Sequence, residues 1–187
     1  IVDRGYPLET AIPKIVEGRV FDNGIICSGE QSLIVHRADY PAAIRLLEAH
    51  GCYFTRNPGE IAALRQALFP SGVMNKRLVG QPLAAVAEAA SIPVPQGTKA
   101  IVAEAAGAGE ADLLGKEKMC AVIAAYPYDT PEQAIDIAEK NLAVEGSGHT
   151  VSIHSDNAGI VEMAAQRLPV CRVLVNQICS TMHGGSF

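Results

Sequence analysis

The stretch Phe21-Asp22-Asn23-Gly24-Ile25-Ile26-Cys27-Ser28-Gly29-Glu30-Gln31-Ser32-Leu33-Ile34-Val35-His36 joins two kinds of secondary-structure signal across one cysteine. A helical pattern leads into it. Ile12, Ile15, Val16 and Val20 fall at i, i+3, i+4 and i+8 over Glu9 to Gly24, with Pro13 expected in the first turn and Gly24 as the stop. A continuous apolar run of strand type, Ser32 to His36, leads out. Between them Cys27 sits in a short segment bounded by Gly24 and Gly29, where rigid flanking elements can hold a nucleophile exposed.

The same alternation continues outward. Helices are expected at Pro41 to His50, from the Asn57 N-cap through Pro58 and Glu60 to about Leu68, and at Pro82 to Ala90. Two more are expected, from Thr130 (with Gln133 in reach of a capping box) to about Leu142, and from Asp156 or Asn157 to about Arg167. Strands are expected at Cys52 to Thr55, Lys99 to Glu104, Cys120 to Tyr126, Thr150 to Ser155 and Cys171 to Val175. Ala105 to Gly115 is small and reads as a flexible loop. Strands that are apolar throughout, alternating with helices, point to an α/β fold in three layers: a mostly parallel sheet flanked by helices. Sites in such folds collect at the carboxyl ends of the strands.

The bulk numbers agree. The chain has 187 residues, enough for one domain, and 49% are hydrophobic against 19% charged, so a sizeable core can be buried. Aromatic residues are only 5% and Trp is absent, so aliphatic side chains must build that core. A formal charge of −5 argues against nucleic-acid binding, which needs a basic face. No apolar run reaches the ~20 residues of a membrane span, and no signal peptide is read. The five cysteines are irregularly spaced and odd in number, with no C-x-x-C pair, so neither a disulfide framework nor a zinc site is expected and a reducing cytoplasm is the natural compartment. No G-x-G-x-x-G, P-loop or metal-ligand spacing occurs, so no metal is expected. A chain opening at Ile1 instead of Met is expected to be a fragment.

Among the cysteines, Cys27 has polar neighbours Asn23, Ser28 and Gln31 that do not look like core, which favours a nucleophile over a buried thiol. Its segment supplies no positive charge, so a base must come from elsewhere. Cys52, Cys120 and Cys171 lie on strand-like runs and are expected to be buried; Cys179, in a loop, is the rival. His149, in Gly146-Ser147-Gly148-His149-Thr150, is a candidate base, with an ordinary loop histidine as the alternative. His154 is a weaker candidate on the same element, and His36, His50 and His183 have no supporting context. Glu117, directly before a strand, can accept hydrogen bonds from a ribose diol, or it is a solvated glutamate between Lys116 and Lys118.

The Cys27 loop resembles the active-site loop of CoA-acylating aldehyde dehydrogenases, whose pattern is close to F-D-N-G-x-x-C-x-x-E-Q-S. The resemblance extends along nearly the whole chain. It includes Leu78-Val79-Gly80-Gln81-Pro82 before an Ala-rich helix, Glu117-Lys118 before a strand, Gly146 to Thr150 as a G-x-G-H-T element, and Arg172 to Asn176 as an R-x-L-V-N strand. The resemblance implies the aldehyde dehydrogenase catalytic-domain fold over residues 1–187. An NAD-binding domain before it and an oligomerisation segment after it are then missing from the chain. It also implies an enzyme that oxidises an aldehyde reversibly to an acyl-CoA, with NAD or NADP as cofactor and coenzyme A as co-substrate. Cys27 is then the residue that forms a thioester and His149 the residue near it. Glu117 and Met119 lie at the cofactor, Glu117 on the nicotinamide ribose and Met119 where the wider superfamily has an aromatic. The implied partners are a small aldehyde, CoA and further copies of the chain.

Two departures stand out. Met119, Cys120 and Ala121 replace an aromatic-Gly-Pro sequence, and Gln177 to Gly185 replaces a Pro-Ser pair with its Gly-rich run. The second points to a subgroup, of which enzymes for aldehydes with a charged tail, such as succinate semialdehyde or sulfoacetaldehyde, are one option. The readings left open are a hydrolytic aldehyde dehydrogenase, a phosphate-ester-reducing relative such as γ-glutamyl phosphate reductase, and a non-catalytic assembly module of the same fold.

Overall fold

The computed structural model describes residues 1–180. The described residues form six α-helices, α1 (Leu8–Val20), α2 (Tyr40–Ala49), α3 (Pro58–Leu68), α4 (Leu83–Ala89), α5 (Pro131–Val144) and α6 (Ala158–Arg167), which alternate with strands except that α3 runs into α4 and β3 into β4. The strands are β1 (Ser32–His36), β2 (Cys52–Thr55), β3 (Ala100–Glu104), β4 (Val122–Tyr128), β5 (Thr150–Ile153) and β6 (Arg172–Val175). β1, β4, β3 and β2 lie side by side in that order, and β5 pairs with β6; every pairing is parallel.

The two groups are stitched together by the opening residues. Val2 bridges both Val35 on β1 and His154 just beyond β5. Its N–H donates to Ile34 O at 2.8 Å and the Asp3 N–H donates to His154 O at 2.9 Å. α1 and α2 pack on each other and on β1 to β3, while α5 and α6 pack on each other and on β1, β4 and β6. β3 and β4 are buried almost throughout, as continuous apolar strands covered on both faces should be. No helix among the described residues is long and apolar enough to cross a membrane.

Three local expectations are corrected. α1 begins at Leu8, so Pro13 lies in its second turn, because the Pro7 carbonyl already accepts from the Thr10 and Ala11 N–H groups. The Cys120 strand begins two residues later, at Val122, and the Cys171 strand one later, at Arg172. This leaves Cys120 buried outside the ladder and Cys171 exposed. The loop read as soft is pinned. Fully buried Asp112 accepts from the Ala106 and Leu114 N–H groups and, bidentately, from Arg65 at 2.7 and 2.5 Å. Two 3₁₀ turns, Gly109–Ala111 and Leu113–Gly115, form around it. Burial alone would raise the Asp112 pKa; the guanidinium and the two N–H groups hold it below the usual value instead.

Candidate active site

The chain leaves α1 through a turn that few residues can make. Asp22 (φ 48°), Asn23 (φ 55°) and Gly24 (φ 75°) are left-handed in succession. Asp and Asn tolerate this better than other side chains, and Gly tolerates it freely. At Gly24 a Cβ would also stand 2.6 Å from the Cys120 carbonyl carbon. The Asn23 amide donates to Gly80 O at 3.1 Å, and the Gly80 N–H donates to Met119 O at 2.8 Å. A second turn, closed by the Gly29 N–H on Ile26 O at 2.9 Å, carries Cys27 and Ser28 at its tip, with Cys27 exposed.

The polar residues after Cys27 each hold a different wall. A Glu30 carboxylate oxygen accepts from the Cys179 N–H at 2.9 Å, and Gln31 Oε1 accepts from the Lys118 N–H at 2.9 Å. Ser32 Oγ accepts from the Asn141 amide at 3.5 Å, reaching α5. The E-Q-S part of the pattern thus anchors the cysteine loop to three segments distant in the chain. Behind the loop lies Arg19, fully buried. Its Nη2 donates to Gly24 O, Lys118 O and Cys120 O at 2.5 Å each, and its Nη1 to Gly29 O at 3.4 Å. Desolvation lowers its pKa to about 10, which leaves it charged at neutral pH.

These walls enclose a cleft of about 160 Å³ in which Cys27, Glu117 and His149 meet. His149 reaches it from the loop before β5. That loop is tied down by the Gly148 N–H on Pro169 O at 2.6 Å and by the Cys171 N–H on His149 O at 3.0 Å. Glu117 donates its N–H to the Glu145 carboxylate at 2.8 Å, and no described residue hydrogen-bonds its own carboxylate. It does not sit between solvated lysines: Lys116 pairs with Glu145 at 3.0 Å. Lys118 is fully buried, its ammonium on Leu114 O and Lys116 O, and burial brings its pKa down to about 7. Met119 does not line the cleft; its carbonyl accepts from the Gly80 N–H, whose own carbonyl takes the Asn23 amide.

The rival residues fare differently. Cys179 lines the cleft but is buried. Desolvation first, and Glu30 second, push its thiol up to about 12, which removes it as a nucleophile at neutral pH. His154 also lines the cleft, buried, and burial drops its pKa to about 3, so it is neutral and a poor base. His36 stacks edge-on against Tyr128 away from the cleft. His183 lies outside the described residues. Glu30 and Lys118 stand in the quoted motifs without a role of their own, and Arg19 stands in none. Only Arg19 carries a usable signal in the sequence, because it continues the i, i+3, i+4, i+7 stripe of Ile12, Ile15 and Val16 as a charge on the buried face.

No family-wide sequence profile matches the chain. Succinate-semialdehyde dehydrogenase (acetylating) from Clostridium kluyveri is 44% identical over all 187 residues, and the chain spans 41% of that protein. The crystal structure of an acetylating aldehyde dehydrogenase from Geobacillus thermoglucosidasius superposes with a TM-score of 0.90 at 30% identity, over 96% of this chain and 39% of that one. A propionaldehyde dehydrogenase from Rhodopseudomonas palustris, solved with bound CoA and an acylated cysteine, shares the fold. Its TM-score is 0.84 at 22% identity, over 95% of this chain and 40% of that one. The exposed cysteine and the G-x-G-H-T histidine line one cleft, and over its whole length the chain is similar to acylating aldehyde dehydrogenases, of which it spans about two fifths.

Proposed function

We propose that the polypeptide containing these residues oxidises an aldehyde to an acyl-CoA, reversibly, through a thioester on Cys27. Residues 1–187 form its cysteine-bearing catalytic domain. The observation that carries this reading is the convergence of exposed Cys27 with His149 and Glu117 in one cleft. The Cys27 thiolate attacks the aldehyde carbon, giving a thiohemiacetal whose alkoxide needs a hydrogen-bond donor at the turn tip. The donor nearest in sequence is the Cys27 backbone N–H. Loss of hydride and collapse of the C–O⁻ leave the acyl group on sulfur. The CoA thiol, as thiolate, then displaces Cys27, and His149, which lines the same cleft, takes the thiol proton.

A nicotinamide dinucleotide, NAD or NADP, supplies the hydride acceptor when bound. The Glu117 carboxylate, at the cleft and without a described hydrogen-bond partner, fits a ribose diol. Met119, which does not line the cleft, accepts the Gly80 N–H through its backbone carbonyl. The relative with the highest identity reported above acts on succinate semialdehyde, which supports an aldehyde with a charged tail as substrate. The same reading gives a cytoplasmic homo-oligomer.

The test is NADH or NADPH formation from aldehyde by the complete natural polypeptide that contains residues 1–187. Turnover that stops without CoA and with Cys27→Ser is the expected result. Full turnover to a free acid without CoA would instead establish the hydrolytic reading.

A further inference from the structure

We propose that Arg19 is a positioning residue for the Cys27 chemistry: from inside the protein it holds the loop carrying the nucleophile in register with the segment carrying Glu117. The inference rests on Cys27 being the nucleophile, as proposed above. All four of its acceptors belong to the site's own segments. Gly24 O and Gly29 O bracket Cys27, and Lys118 O and Cys120 O follow Glu117, 99 and 101 residues away in sequence from Arg19. No acceptor lies in the sheet.

The placement is built for this. Gly24, where a Cβ would stand 2.7 Å from Nη2, leaves the guanidinium room to reach the turn. Arg19 is fully buried and forms no salt bridge among the described residues; carbonyl oxygens accept its hydrogen bonds, and the nearby Glu30 and Glu117 carboxylates help offset its charge. An apolar side chain of that volume would avoid the desolvation penalty of a buried ion. What it would lack is a planar fork able to join several carbonyls in a set geometry. A nucleophile displaced by ~1 Å loses on the order of a hundredfold in rate, whereas binding determined elsewhere in the cleft is little changed.

Arg19→Met, Arg19→Lys and Cys27→Ser should be compared in the complete polypeptide by steady-state kinetics, iodoacetamide labelling of Cys27 and thermal midpoint. Arg19→Met is expected to lose about 100-fold in kcat, with KM for aldehyde and CoA within about threefold. Arg19→Lys, which keeps the charge but not the fork, is expected to recover about tenfold of that, and the Cys27 labelling rates should follow the same order. Should Arg19→Met fail to fold, Arg19→Lys decides alone through a lowered kcat at unchanged KM. A folded variant of either kind with wild-type kcat overturns the proposal. So does a Lys variant whose kcat and KM shift together with its midpoint. If Cys27→Ser keeps its activity, the reading of the nucleophile fails instead, and the Arg19 result no longer bears on catalysis.

Discussion

Gly18→Ala should destabilise this protein, although helix propensity says the opposite. Gly18 is buried within α1, where replacing an interior glycine by alanine ordinarily stabilises by about 1 kcal/mol. Here the new methyl carbon would stand 1.9 Å from one Glu30 carboxylate oxygen, 2.6 Å from its carboxyl carbon and 2.7 Å from the other oxygen. An exposed glutamate would swing aside. Glu30 cannot do so freely, because it is 8% exposed and holds the Cys179 N–H at 2.9 Å. Overpacking costs about 1–3 kcal/mol, and loss of a hydrogen bond to a charged group about 1.5–3 kcal/mol. Set against the propensity gain, the net is a loss of about 3 kcal/mol. At ~2–4 °C per kcal/mol that is a drop of roughly 6–12 °C in the midpoint of the transition containing this domain. The assay is a thermal scan of Gly18→Ala, Glu30→Ala and the double variant. The double variant should lose less than the sum of the singles, because the clash disappears with the carboxylate. A neutral or stabilising Gly18→Ala, or strict additivity, would refute the packing argument.

Three further outcomes are expected. Limiting iodoacetamide at mildly alkaline pH should label exposed Cys27 and Cys171 before the buried thiols. Desolvation pushes Cys52, Cys120 and Cys179 up to about 12, 11 and 12, so peptide mass spectrometry showing Cys179 modified first would contradict the cleft geometry. Asp112→Asn should cost about 3 kcal/mol by leaving Arg65 and two N–H groups without their carboxylate. Because the folded pKa of Asp112 is depressed, its contribution is present above the unfolded value near ~3.9 and is lost as pH falls through the folded one. The acid limb of a midpoint–pH curve should therefore flatten in the variant, and parallel curves would exclude this role. Lys118, lowered to about 7 by burial, releases its proton in the folded protein where the unfolded chain still holds one. Stability should rise from pH 7 to 8.5 by up to about 1.4 kcal/mol per unit, and Lys118→Met should abolish that slope. An unchanged slope would mean that the amine stays charged.

How much of this was legible in the chain differs from element to element. The N-caps were readable because their signals are local: Asn57, Thr130 and Asn157 each accept the backbone N–H expected of them. The parallel sheet was readable because strands buried on both faces must be apolar throughout. The exposure of Cys27 follows from its place at the tip of a Gly-bounded turn, although Ser28 and Glu30 beside it are buried. The errors lie at boundaries and in loops. The strand near Cys171 starts one residue later, at Arg172, and nothing local to the Ala/Gly stretch announces Asp112 reaching back to Arg65.

By itself the sequence determined the order of elements, the layered α/β class and the residues that make the left-handed turn at Asp22 to Gly24, since each depends on periodicity or on backbone sterics within a few residues. Only the tertiary structure decided that Cys27, His149 and Glu117 share one cleft. It also decided that Arg19 and Lys118 are buried, that Cys179 is held protonated, and that Met119 stays off the cleft. The physical reason is the same in each case. Burial and hydrogen-bond partners of a charged side chain depend on distant segments, 149 residues away for Glu30 and Cys179 and 162 for Lys14 and Asn176, and local patterning carries no record of that distance.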